Sequence, residues 1–146
     1  MAQIILSDVS VLLANVAGLT NPGTGEVKSC TINFTPEAKE NTGFGHTAKS
    51  RKVGLQDWSI DLEIYQNYDA ASMDASLFTI MNGDGDVGAI SIQPVSGAEG
   101  AGNPAYESTA GFLESYSPIA AGAVGELGVI KIRILAMGAE LTVDRA

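Results

Sequence analysis

The sequence predicts an all-β fold, an antiparallel β-sandwich or barrel with one short flanking α-helix. Three observations carry this. "WSIDLEI" and "VIKIRIL" alternate between apolar and polar residues, the period of a strand with one buried face. Other short apolar runs are set apart by turns rich in glycine and proline. A single stretch, "DAASMDASLFTIM", shifts to a period near four, that of a helix. Many strands, one helix and glycine-rich turns describe a sandwich or barrel.

Taken in order, "DVSVLLAN" is a candidate first strand. "GTGEVKSCTINFTPE" follows a Gly/Pro turn as a longer one, with Lys28, Cys30, Ile32 and Phe34 on its core-facing parity. "LQDWSIDLEIYQN" puts Trp58, Ile60, Leu62 and Ile64 on one face, with Ser59, Asp61, Glu63 and Tyr65 on the other. In the helix Met73, Leu77 and Ile80 or Met81 share a face. Asp69 or Ser72 is placed to cap its start and Gly83 to close its end in a left-handed conformation. "VGAISIQPV" is the next strand, and "SGAEGAGNP" is a loop. "AYESTAGFLESYSPI" is expected to return as one strand with Tyr106, Phe112 and Tyr116 on one parity. Gly111 inside it marks a bulge or close packing. "VIKIRILAMG" sets Ile130, Ile132 and Ile134 against Lys131 and Arg133, and "AELTVDR" closes the pattern.

The 146 residues fit a single domain over 1–146, large enough to bury a core without staples. One segment departs from the strand pattern. "PEAKENTGFGHTAKSRKVG", at about 36–54, has mixed charge, two glycines before its last and few aliphatics. Connections longer than ~12 residues are commonly functional or order only on contact. Phe44 is its lone large apolar group, His46 is the only histidine of the chain, and Lys49, Arg51 and Lys52 are its only tight basic group. These five residues form the candidate inter-subunit loop, expected to be mobile in the free subunit over 39–52.

Net charge −9 disfavours free nucleic-acid binding, which needs clustered Lys and Arg. The apolar N-terminal run lacks a basic leader region and is broken by Ser7, Asp8, Ser10 and Asn15. It is therefore expected to be neither a signal peptide nor a membrane span. Cys30 is the only cysteine, so no intrachain disulfide is expected.

No constellation for catalysis stands out. Asn82, Asp84 and Asp86 have the spacing of calcium ligands, but Val87 and Gln93 stand where the loop needs glycine and a bidentate glutamate. A polar turn is the simpler reading. His46 lacks organised partners for a triad or a zinc site. Asp61 and Glu63 lie about ~6.6 Å apart along one strand face, within glycosidase range. Pairing with Lys131 and Arg133, or a solvated acidic face, explains them better. No enzyme, cofactor or metal is expected.

The order of elements resembles that of the major tail tube protein of long-tailed, siphovirus-type bacteriophages. The resemblance runs from about Val27 to the end of the sequence. It comprises "WSIDLEI", "DAASMDASLFTIM", "AISIQPV", "NPAYESTAGFLESYSP", "GELGVIKIRILAMG" and "LTVD". It implies a β-sandwich with a flanking helix and a structural virion protein without catalytic residues. It further implies self-assembly into rings, probably six-membered in that family, stacked into a hollow tube that conducts DNA without binding it specifically. Its partners would be itself and other tail proteins (tape measure, terminator, distal tail), with no membrane. It would be made in the host bacterial cytoplasm and end in the virion tail. An acidic lumen suits this, because it repels phosphate, and Asp61 and Glu63 are the candidate lumen or interface residues. The alternatives are another virion β-sandwich, a tail terminator or capsid decoration protein, and a carbohydrate-binding sandwich. The last expects a cleft of aromatics and carboxylates, where this chain has one tryptophan.

Overall fold

A computed structural model describes residues 9–16, 27–65, 73–94, 100, 102–121, 124 and 128–145. Ten strands and one helix follow in order: β1 (Ser10–Leu13), β2 (Val27–Phe34), β3 (Ala38–Glu40), β4 (Arg51–Val53), β5 (Trp58–Tyr65), α1 (Met73–Met81), β6 (Ile90–Gln93), β7 (Ala105–Ser108), β8 (Phe112–Ala121), β9 (Val129–Leu135) and β10 (Thr142–Asp144). Two four-stranded antiparallel sheets form a sandwich. One has the order β1-β6-β7-β10, the other β2-β5-β9-β8. β3 and β4 pair only with each other. The sandwich is all-β with one helix, as the sequence predicts, and its sheets do not close into a barrel.

Register explains the core. Ile32, Ile60, Ile134 and Leu113 are aligned across the second sheet, and Cys30, Leu62, Ile132 and Tyr116 form the next row. Opposite them, Val11 aligns with Ile92 and Leu13 with Ile90. Trp58, Ile60, Leu62, Ile64, Ile130, Ile132 and Ile134 are all buried. The Trp58 indole also donates Nε1–H to the Ala139 carbonyl at 3.0 Å, and Gln56 Oε1 accepts from the Leu141 amide at 3.1 Å. Together these two bonds tie the entry to β5 to the segment that leads into β10.

Four differences from the sequence pattern have physical causes. First, "AYESTAGFLESYSPI" is two strands in different sheets. The chain leaves β7, crosses between the layers at 109–111, and begins β8. Gly111 sits at the crossing. A Cβ there would lie 2.6 Å from Ile90 Cδ1 and 2.8 Å from Ile134 Cγ2, one contact from each sheet. Second, a register shift between Val27 and Ser29 changes the parity of β2. Val27 pairs with Ile64 and packs on the core, while Lys28 is exposed. Third, Gly83 is not the left-handed residue after α1. Gly85 is, with φ 79°, and its amide reaches the Ile80 carbonyl at 3.1 Å. Fourth, the 36–54 segment contains an ordered ribbon, β3 and β4.

In α1, Leu77 and Ile80 face the core as the spacing requires. Phe78 meets Tyr116 of β8 edge to face at 5.4 Å, and the Tyr116 hydroxyl donates to Asp74. The side chain of Met73 and the cap candidates Asp69 and Ser72 lie outside the described residues. No helix among the described residues is long and apolar enough to cross a membrane.

Candidate assembly surfaces

The five loop residues lie on the β3–β4 ribbon or its tip. The ribbon starts where the Glu37 amide bonds Leu55 and the Gly54 amide bonds Glu37. It continues through the ladder Ala38–Val53, Lys39–Lys52 and Glu40–Arg51. Thr42 closes its upper end. Its Oγ1 accepts from the Ser50 amide at 2.8 Å, and the Asn41 amide bonds the Ser50 carbonyl. At the tip Gly45 is left-handed, φ 89°, and His46 Nδ1 accepts from the Gly43 amide at 2.9 Å. That bond gives the histidine a local turn-forming role. Phe44 is fully exposed, and Lys49, Arg51 and Lys52 are exposed as well. Near the base Lys39 pairs with Glu37 at 2.5 Å. This hydrogen bond holds the Glu37 carboxyl below its ordinary range. Exposed Val53 and Leu55 give the ribbon an apolar side.

Asp61 and Glu63 occupy a different surface, the outer face of the β2-β5-β9-β8 sheet. Arg133 bridges Asp61 at 3.2 Å and Glu114 at 2.8 Å, and Lys131 approaches Glu63 at 3.4 Å. Ser29 Oγ adds a hydrogen bond to Glu63. The register brings these groups together: Asp61 lies opposite Arg133, and Glu63 opposite Lys131. All are part-exposed, so each pair contributes roughly 0–1 kcal/mol. Three carboxylates against two cations leave this face weakly acidic. Glu114 reaches it through a register shift between Leu113 and Ser115, for which the sequence carries no signal.

The polar turn after α1 uses its carboxylates internally. Asp84 Oδ1 accepts from the Asp86 amide, and Asp86 Oδ1 accepts from the Gly88 amide at 2.7 Å. No cluster of metal-ligating side chains occurs among the described residues.

Two apolar surfaces went unread in the sequence. Phe78, Met81 and Phe112 are exposed near α1. Between the edges of the two sheets, an open groove of about 480 Å³ is lined by Cys30, Ile32, Phe34, Ile92, Tyr106 and Val143, among others. Alternation marks these residues as core, and the groove exists because β2 and β10 are edge strands whose inner faces are only partly covered.

No known family profile matches the chain, and no curated protein matches it in sequence. Solved structures do match in fold. The chain aligns with a subunit of the SPP1 tail tube over 99% of its own length and 81% of that chain, with TM-score 0.63 and 15% identity. It aligns with a chain of the tube-terminating cap of the anti-feeding prophage over 100% and 93%, with TM-score 0.60 and 17% identity. It aligns with a chain of the tail of an empty gene transfer agent particle, refined with C6 symmetry, over 92% and 94%, with TM-score 0.56 and 15% identity. At these identities the likeness is one of fold, and that fold is the one found in tail tubes.

Proposed function

We propose that this chain is a tail tube subunit, a structural protein whose copies join into stacked rings around a channel for DNA. The observation that carries this reading is the match of nearly the whole chain to a subunit of the SPP1 tail tube. Sheet topology supports it. β2 and β8, of eight and ten residues, are the two edge strands of one sheet. Edge strands present backbone N–H and C=O groups to any strand that can pair with them. Two unlike edges on opposite sides of one sheet favour head-to-tail joining, which closes as a ring when the rotation allows. The C6 symmetry of the gene transfer agent tail makes six the expected number.

In this reading the outer face with Asp61, Glu63 and Glu114 lines the channel. Its carboxylates exceed its cations by one, and their pairing with Lys131 and Arg133 keeps the surface from holding phosphate or repelling it over long range. The 36–54 ribbon is the assembly element that reaches a neighbouring subunit. The partners are further copies of the chain and the other tail proteins, the location is the virion tail, and no catalytic role is assigned. Synthesis in the host cytoplasm belongs to the same reading.

The likeness to a tube-terminating cap favours one second reading, a tail terminator. Negative-stain microscopy of the purified protein separates the two. Uniform hollow tubes whose length grows with concentration are expected for the tube subunit. Isolated rings at every concentration favour the terminator and overturn the tube.

A further inference from the structure

We propose that the tip of the β3–β4 ribbon, led by Phe44, seats in the apolar groove of a second copy of this chain. The proposal rests on the tail tube reading, and it names the surface that receives the assembly element.

The groove needs an occupant. It is open and about 480 Å³ in volume, and its mouth is flanked by Phe34 and Val143, each nearly half exposed. Contiguous apolar surface of this kind is uncommon on proteins that act alone. Phe44 has the opposite deficiency. It is a large aromatic ring held out on a bonded turn with no covering side chain, at 111% of its reference exposure. The turn is built, not slack. The Gly43 amide bonds His46 Nδ1, the His46 amide bonds the Gly43 carbonyl, and Gly45 supplies the left-handed residue.

The chain's own ribbon cannot fill its own groove. The ribbon begins just past Phe34, at the groove's rim. It is paired from Glu37 and Gly54 through to Asn41 and Ser50. Its tip is seven residues beyond Glu37, and extended strand advances ~3.3 Å per residue, so Phe44 stands on the order of 20 Å from the base. Folding it back would break the ladder. A second copy meets no such obstacle.

Charge favours the same occupant. Residues 36–54 hold four of the chain's eight basic residues, Lys39, Lys49, Arg51 and Lys52, against Glu37 and Glu40. The ribbon is thus net +2 on a chain of net −9, which leaves the remainder at −11. The groove's β10 wall is flanked in sequence by Glu140 and Asp144. A positive ribbon with an apolar tip fits an apolar slot on an acidic body, and such complementarity steers association.

Cys30 lines the groove and is the only thiol of the chain, so it reports on occupancy. Alkylation by N-ethylmaleimide, read by mass spectrometry at one fixed pH, is compared between unassembled subunits and tubes. Burial under a neighbour's ring is expected to slow the reaction at least ~10-fold in tubes, since access then requires local opening. Tubes of Phe44→Ala are expected to lose that protection. Their subunits are also expected to need ~10-fold or more higher concentration to assemble, as for a central aromatic contact. Should Phe44→Ala subunits fail to form tubes, Phe44→Leu serves, with partial loss of protection expected. Equal Cys30 reactivity in subunits and tubes of the unaltered chain overturns the proposal. So does undiminished protection in tubes of either variant, which would assign the groove to another occupant. No tubes from the unaltered chain would instead sink the tail tube reading itself.

Discussion

Replacing Gly111 by alanine places a methyl group where the two sheets come closest. The new Cβ would lie 2.6 Å from Ile90 Cδ1, 2.8 Å from Ile134 Cγ2 and 3.2 Å from Val87 Cγ2. All three neighbours are at most 2% exposed, so none can turn into solvent. Ile134 is β-branched and its Cγ2 is fixed by χ1, which leaves Ile90 Cδ1 as the atom able to move. Overpacking of this kind costs about 1–3 kcal/mol. Loss of glycine's freedom in the unfolded chain offsets about 0.4–1 kcal/mol of that. A net loss of about 1–2 kcal/mol is expected, measured by urea denaturation of the unassembled subunit. Gly102→Ala is the control, because nothing lies within 4 Å of its added Cβ. Ile90→Val, which deletes the clashing Cδ1, sharpens the test. Alone it costs about 0.5–1.5 kcal/mol. Combined with Gly111→Ala it should cost nothing further or restore stability, a favourable coupling of the kind double-mutant cycles measure. Additive losses, or a Gly111→Ala subunit as stable as the parent, would refute the close-approach reasoning.

Three further outcomes are expected. Gly85→Ala should cost about 1–2 kcal/mol in thermal or urea unfolding, because a left-handed φ of 79° is strained for alanine and the Cβ meets the Phe112 ring at 2.7 Å. Burial pushes the Cys30 thiol up to about 11, so its alkylation in the subunit should rise about tenfold per pH unit between pH 8 and 10. The same shift makes Cys30 favour the fold fully below the unfolded value near 9, with that contribution lost as pH rises towards 11. Cys30→Ala should flatten the decline in stability between pH 9 and 11, and an unchanged slope counts against it. Arg133→Ala should change subunit stability by no more than about 1 kcal/mol in low salt, since its contacts to Asp61 and Glu114 are exposed. A loss of several kcal/mol in that measurement would mean the pairs are far less screened than their exposure implies.

The parts of the fold legible in the sequence are those governed by period alone. β5 and β9 are central strands with one face in the core, so alternation names their buried residues and places Asp61 opposite Arg133 once they pair. Edges and crossings are another matter. The bulge at Val27/Ser29 reverses parity, and no local residue type announces it. The split between β7 and β8 has a signal in Gly111, but close packing inside one strand and a crossing between two sheets look alike in one dimension. The apolar residues of β2 read as core because alternation reports which face turns inward, while the extent of cover depends on the facing sheet. Composition marks the 36–54 segment as exceptional, yet its ladder depends on pairing across a tip that alternation does not register.

The topology also governs when the subunit can become itself. Each sheet draws strands from distant parts of the chain: β1 pairs with β6 some eighty residues later, and β5 pairs with β9. A ribosome that has released β5 has exposed Trp58, Ile60, Leu62 and Ile64 with no partner sheet yet made. Neither layer closes until β9 and β10 emerge, and the bonds from Gln56 and Trp58 to the segment before β10 form last. Such non-local pairing folds slowly, in the range of milliseconds to seconds. During that interval the strands that would later join neighbours are open to wrong ones. The excess of negative charge, −9 over 146 residues, then has a task before any tube exists. It keeps half-made chains apart long enough for each to complete its own two layers.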